Sequence, residues 1–457
     1  MITKIRTVLF IVLTASSLQL LNAQKSIFPA GSKICFVGNS ITNNGEFHHN
    51  ILLYHLTRYP SAPVTFYNCG ISGNTASDVL ARMDKDVLNL KPNYAVLMIG
   101  MNDVRRGLYG VNASTDEDTL QMRKEALVAY KGKVEKLIKI FLQNKIELLL
   151  ETPSIYDQTS KSKTPRAFGV NDALGECALF IKEMAGKYNL KVVDYWSFMN
   201  AINTKEQQAN PAFTLTSQDR VHPQATGHLV MASQFLKSMG ASSLISNISI
   251  ENNLKSSQKS SQNCKILSLN KNPKRLTFEV KEHALPFPVA ENQKTGAKLV
   301  DLDNQLNSQL LSVKGLSNGS YELRIDSQKI ATFTNVDLAK GVNLAVYIQT
   351  PQYQQAMEVK RQLLQLRDLE SKLRGIKFIE YNTYFQLCGS KTELSELKEC
   401  IAPIFKEKTN AYTLTQLDNY FVFKPQEESI KNKMDEMRLK INELVQPIPH
   451  KYEVIQL

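Results

Sequence analysis

Beyond its N-terminal segment the sequence has no apolar run approaching the ~20 residues that a membrane-spanning helix needs, so stable insertion in a bilayer is not expected. Its six cysteines are also poorly placed for a metal: none falls at the paired spacing of a zinc site, and no metal or organic cofactor is expected. There is no internal repeat and no long block of one charge. The 55 Lys and Arg are interspersed with 43 Asp and Glu, so the net charge of +12 describes a solvated surface rather than a nucleic-acid groove. No nucleic-acid partner is expected, whereas an acidic glycan would suit the charge.

What the chain does have begins at its start. Lys4 and Arg6 precede an apolar run from Val8 to Leu13, and Leu21-Asn22-Ala23 supplies small residues before Gln24. That order is the pattern of a secretory signal peptide over 1–23, which implies a periplasmic or secreted protein. Its removal would take away two cations and no acid, lowering the net charge to +10. No cysteine follows the cleavage point, which argues against a lipid anchor there. Cys35 and Cys69 lie in apolar strand-like runs and read as buried small hydrophobes, while Cys388 and Cys400 could pair in an oxidising compartment.

With 43% apolar and 21% charged residues, a chain of 457 residues is globular and has room for two or three domains. From Lys33 to Gly240, short apolar runs alternate with longer amphipathic segments. Strands are predicted at 33–37, 64–68, 94–100, 146–151 and 190–195, and Leu120, Leu127, Val134, Leu137, Ile138 and Phe141 fall mostly at helical spacing. Strands that are nearly all apolar are buried on both faces, as in a parallel sheet covered by helices. An α/β domain over 24–245 is therefore expected, with its ligand at the carboxyl ends of the strands. The polar stretch "SSQKSSQN" at 256–263 suggests a linker over 246–270. A small β-rich module follows at 271–345, with a hairpin turning near Asp326, and then a charged helical region at 346–457 that could pack back on the α/β domain.

Four strand-end segments carry the chemistry. "GNSIT" places Ser40 at the end of the first strand, where by itself it would more readily cap a helix than act as a nucleophile. After the second strand, "GISGNTASD" puts Gly73 in a tight loop before a helix whose first turn offers backbone N–H groups. After the third, "IGMND" points the Asn102 amide toward the same crevice. The last segment is the most informative: in "DRVHP", Asp219 can orient the imidazole of His222, and Pro223 delays the following helix until both side chains project.

In this order the four blocks resemble the SGNH, or GDSL-type, esterase and acylhydrolase family, over about residues 30–240. The resemblance implies a flavodoxin-like three-layer α/β/α fold with a parallel sheet. It also implies Ser40 as nucleophile, His222 as general base, Asp219 as its orienting carboxylate, and Gly73, Asn102 and the Ser40 N–H as oxyanion donors. The family usually has Asp where Asn39 stands; that position hydrogen-bonds the loop and supplies no proton to the reaction, so Asn39 is expected to serve. The second half, with "HALPFPVAE" at 283–291, is similar to an accessory region of some longer bacterial members.

The family acts on lipids, thioesters and acetylated sugars, so it does not by itself name a substrate. No apolar lid is evident, and the loop at 152–172 is rich in Ser, Thr and Lys. An exported esterase acting on an acylated small molecule or polysaccharide, above all on carbohydrate O-acetyl groups, is the reading these features favour. A lipid or thioester acylhydrolase and an inert glycan-binding protein are the alternatives. Arg105 and Arg106 could line the mouth of the site or form a solvated pair, and Tyr156 and Asp157 could touch substrate. His48, His49 and His228 read as structural or surface residues.

Overall fold

The computed structural model describes residues 26–457 apart from 111–115, 252, 382–387, 389–392 and 409–410. The expected signal peptide at 1–23 lies outside the described residues.

The first unit alternates strands and helices: β1 (Lys33–Gly38), α1 (Ser40–Asn44), α2 (Glu46–Arg58), β2 (Thr65–Gly70), α3 (Ala76–Arg82), β3 (Tyr94–Met98), α4 (Glu117–Gln143), β4 (Glu147–Glu151), α5 (Val170–Tyr188), β5 (Lys191–Val193), α6 (Tyr195–Ala209) and α7 (Ala225–Ser238). The strands form one parallel sheet in the order β2-β1-β3-β4-β5. Because side chains alternate along a strand, each strand feeds two cores. Phe36, Phe66, Val96 and Leu149 pack with α2 and α7, while Cys35, Val37, Ala95, Leu97 and Leu150 pack with Val79, Leu137, Phe141 and Ile181 on the other side. This is the three-layer α/β arrangement expected from the apolar strands. The chain order reverses between β1 and β3, which opens a crevice at their carboxyl ends.

The stretch expected to be a linker is folded. It carries β6 (Leu244–Ile250), α8 (Leu254–Ser260) and the start of β7 (Cys264–Asn272). Its polar side chains close local backbone bonds instead of trailing in solvent: Asn253 Oδ1 accepts from the Ser256 N–H at 2.9 Å, Ser257 Oγ from that of Glu251 at 2.8 Å, and Ser261 Oγ from that of Ser249 at 2.9 Å. Next come β8 (Arg275–Glu282), α9 (Lys294–Leu299), α10 (Leu302–Gln305), β9 (Ser308–Val313), β10 (Ser320–Ile325), β11 (Gln328–Thr334), α11 (Asn335–Lys340) and β12 (Val342–Asn343). The β10–β11 hairpin turns at Asp326 and Ser327, both with positive φ, the geometry of a tight two-residue connection.

Four helices, α12 (Pro351–Tyr381), α13 (Leu394–Lys408), α14 (Ala411–Phe423) and α15 (Glu427–Leu444), precede β13 (Pro449–Gln456). This last strand departs from the expected helical region and sits in the middle of an antiparallel sheet, β11-β10-β13-β8-β7. The buried Glu282 carboxylate joins the pieces by accepting from Gln309, Gln352 and Tyr452. α12 and α15 reach the first unit: Leu363, Leu366, Ile430 and Met434 share the core of Phe36 and Phe66. A disulfide joins Cys388 to Cys400.

Candidate active site

β1 ends in Gly38, and only glycine fits there: a Cβ would lie 2.2 Å from Thr42 Oγ1 and 2.6 Å from the Met98 carbonyl. The chain then turns straight into α1. Asn39, not Ser40, caps that helix, since its Oδ1 accepts from the Ile41 N–H at 3.1 Å. Ser40 is left as the first helical residue, with its hydroxyl free to be used elsewhere. It faces His222: Ser40 Oγ and His222 Nε2 are 2.7 Å apart.

His222 belongs to a hairpin-like loop closed by the bridge of Thr216 with Pro223 and by the Ser217 N–H donating to the His222 carbonyl at 2.7 Å. Asp219 Oδ2 stands 2.5 Å from His222 Nδ1, and its Oδ1 accepts from Ser217 Oγ and from the Val221 and His222 N–H groups at 2.6, 2.9 and 3.0 Å. Partial burial alone would raise the Asp219 pKa, but the hydrogen bonds from His222 and Ser217 hold it well below the usual carboxylate range. An ionised Asp219 fixes the proton on Nδ1 and leaves Nε2 as an acceptor for the serine proton. The pair is half open to solvent, with side-chain exposures of 42% for His222 and 48% for Asp219.

Between the two lies Arg220, which the sequence reading passed over. It is buried, with a left-handed backbone at φ 67°, and its guanidinium donates to the carbonyls of Thr164, Asp157 and Ser160 at 2.7, 2.8 and 3.2 Å. The Asp157 N–H answers by donating to the Arg220 carbonyl at 2.8 Å. Arg220 thus staples the 157–164 loop to the loop bearing Asp219 and His222. Its position inside "DRVH" was the available signal.

On the other side of Ser40 is the loop after β2. Gly73 is exposed with φ 83°, a conformation that a side chain would strain. The N–H groups of α3 differ from expectation, because Ala76 donates to Asp103 Oδ1 at 2.8 Å and Asp78 to Thr75 Oγ1. The Asn102 amide donates one N–H to the Asn74 carbonyl at 3.0 Å, tying the asparagine block to the glycine block. Asp103, pushed up to about 6 by burial, makes a second tie between these loops through Ala76. Asn102 also borders an open hollow of about 340 Å3 with Arg105, Arg106, Gly107 and Leu108.

The remaining predicted residues divide sharply. Arg105 is exposed at that hollow, with φ 53°. Tyr156 is instead buried in the α4–α5 side of the core, its hydroxyl accepting from the Ala167 N–H at 2.9 Å, so it braces a loop. Asp157 is spent on the Thr159 and Ser160 N–H groups. His48 and His228 are buried and pushed down to about 3, chiefly by desolvation. Among the described residues, His48, His49 and Glu370 come close enough together to suggest a metal. Yet His49 Nε2 is already 3.0 Å from Glu370 Oε2, and His48 Nε2 is 3.1 Å from the Thr42 carbonyl. A larger hollow of about 670 Å3, bordered by Phe287, Lys294, Val346 and Tyr353, contains none of these groups.

Residues 34–235 match the family described as GDSL-like Lipase/Acylhydrolase. An acetylxylan esterase from Geobacillus stearothermophilus is 26% identical over 226 residues, which are 46% of this chain and 95% of that protein. A solved structure described as a gut microbial diltiazem-metabolizing enzyme is 29% identical, covers 94% of this chain and 98% of its own, and superposes with a TM-score of 0.85. At 94% of this chain, the latter likeness extends beyond the α/β unit into the β-rich part and the C-terminal helices.

Proposed function

We propose that the chain is a serine esterase in which Ser40, His222 and Asp219 act as a triad on acetate esters, a reading supported by the match of residues 34–235 to the GDSL-like Lipase/Acylhydrolase family. One observation carries this reading: Ser40 Oγ, His222 and Asp219 form an unbroken hydrogen-bonded line, with steps of 2.7 and 2.5 Å. As Ser40 Oγ attacks the ester carbonyl, His222 Nε2 takes its proton, and Asp219 steadies the imidazolium. The N–H groups of Ser40 and Gly73 and the second N–H of Asn102 are the donors for the oxyanion, each worth about 3 kcal/mol in such a site. His222 then returns the proton to the departing alcohol. Water attacks the acetyl-enzyme by the same route, releasing acetate and restoring Ser40.

Acetylated carbohydrate is the proposed substrate class. The acetylxylan esterase relative, the open and polar surroundings of His222, and a rim bearing Arg105 and Arg106 support it. The longer structural relative favours a second reading, in which the alcohol is a bulky non-sugar group such as that of diltiazem, itself an acetate ester. The leader pattern at 1–23 supports export, and a mature protein beginning at Gln24 in the exported fraction would establish it.

Hydrolysis of acetylated xylan and diltiazem, read as acetate release, and of p-nitrophenyl acetate and p-nitrophenyl octanoate, read as p-nitrophenol release, with Ser40→Ala as the blank, tests the whole reading. We expect wild type to exceed Ser40→Ala by about 10⁴-fold on p-nitrophenyl acetate. Equal slow release by both would leave an inert binding protein. Preference for octanoate would favour a lipid acylhydrolase, and diltiazem cleaved without xylan would move the substrate away from sugars.

A further inference from the structure

β2 is an edge strand, and such a strand leaves a row of backbone groups unpaired. Here α12 supplies the partners with side chains. Glu370 Oε1 accepts from the Asn68 N–H at 3.2 Å, and Arg374 Nε donates to the Gly70 carbonyl at 3.0 Å. The rest of the Arg374 guanidinium forms a two-pronged pair with Asp86, both prongs at 2.8 Å. Asp86 is also held by Arg82, whose Nε donates to Asn74 Oδ1 at 2.7 Å and whose Nη2 donates to the Cys69 and Gly38 carbonyls at 2.9 and 3.2 Å. All three charged side chains are buried. Asn74 in turn accepts, through its carbonyl, from the amide of Asn102.

The same loop is gripped from a second direction. Ile71 is buried among Ile376, Phe378 and Ile379 of α12 and Leu417 and Tyr420 of α14, and the Tyr412 hydroxyl donates to Ser72 Oγ at 3.1 Å. Every residue from Gly70 to Ser72, together with Asn74, is therefore fixed directly or through Arg82 and Asp86 by the C-terminal helices. Gly73 lies inside that span.

We propose that Arg374 is a positioning residue for the oxyanion hole: acting through Asp86, Arg82 and Asn74, it holds Gly73 and Asn102 in register with Ser40. The C-terminal helices are then part of the catalytic apparatus although they contribute no group to the reaction. This inference rests on the serine-esterase reading above. A 0.5–1 Å slackening of such donors weakens transition-state binding while leaving the ester's resting contacts in place.

Arg374→Lys tests it, because lysine keeps a buried cation beside Asp86 but cannot reproduce the fork together with the Gly70 contact. In the full chain acting on p-nitrophenyl acetate, we expect a folded protein by circular dichroism, kcat lower by about tenfold, and KM within about twofold. The decisive measurement is the double variant with Asn102→Ala. If both act on one hole, Arg374→Lys should cost less than about twofold once Asn102 is gone. A folded Arg374→Lys with wild-type kcat, or losses that multiply in the double variant, overturns the proposal. Wild type no faster than Ser40→Ala would instead remove the esterase reading, and the inference with it.

Discussion

Arg220 and Arg374 are both buried, and both end on backbone carbonyls beside the site, but they enter it from different distances in the chain and against different partners. Arg220 belongs to the motif it serves, and the oxygens that receive its guanidinium are neutral groups of a neighbouring loop. Arg374 reaches back 288 residues to Asp86, and its partner is a carboxylate. Burial alone would raise Asp86 and lower Arg374, yet their pairing moves each the other way. A fully buried ion pair recovers its desolvation cost only with good geometry, and contributes little net stability over an apolar replacement. The comparison teaches that the local arginine serves mainly to hold the fold of its loops, whereas the distant one is better explained by what it positions.

The largest effect that could break this contrast is expected from Arg220→Met. The carbonyls of Thr164, Asp157 and Ser160 would lose their shared donor, lowering unfolding stability by about 3 kcal/mol and slowing hydrolysis together. A wild-type urea midpoint with depressed kcat would make Arg220 a positioning residue too, and erase the distinction.

Glu151 sharpens the contrast from the side of charge. Like Asp86 it is a buried carboxylate, but its hydrogen bond comes from the Tyr195 hydroxyl at 2.7 Å rather than from a guanidinium, and burial pushes it up to about 8. The folded chain then keeps this proton where the unfolded chain, at the ordinary value of 4.5, has lost it. The stability associated with Glu151 is complete below pH 4.5 and is lost as pH rises toward 8. Glu151→Gln should cancel that loss, so its urea midpoint should gain on wild type steadily from pH 5 to pH 8. Parallel profiles would show that Glu151 is ionised and paired in the fold.

The smallest effect is expected at Asn39→Asp. The replacement keeps the acceptor for the Ile41 N–H and adds a charge that a helix N-terminus tolerates. Activity should stay within about threefold of wild type in kcat/KM. A tenfold loss would mean that the amide does more than cap α1.

How much of this was legible in the sequence follows from distance along the chain. Ser40, Gly73, Asn102 and the Asp219–His222 pair each sit in a short block that couples an apolar strand or a helix start to one exposed turn, and such patterns are local. Tyr156 and Asp157 lay on an equally suggestive loop, but the aromatic ring was needed by the core and the carboxylate by its own turn. Arg374 looked like one more cation on a charged helix, because nothing near it in sequence announces Asp86 or Gly70. The serine-rich segment near 256 misled for a related reason: side chains that suit a solvated linker equally suit caps and turns.

β13 has one further consequence, for the order of events during synthesis. Tyr452 on β13 donates to Glu282 from 170 residues away, and β13 supplies the strand between β8 and β10. At about 5–20 residues per second, translation leaves the β8 edge without this neighbour for roughly 10–30 s after it emerges. The α/β segment can collapse in that interval, but α12 and its arginine are also still to come. A nascent chain stalled there could bring Ser40, His222 and Asp219 together but would lack the helix that holds the loop after β2, so hydrolysis of p-nitrophenyl acetate by such a chain is expected to wait until α12 has emerged.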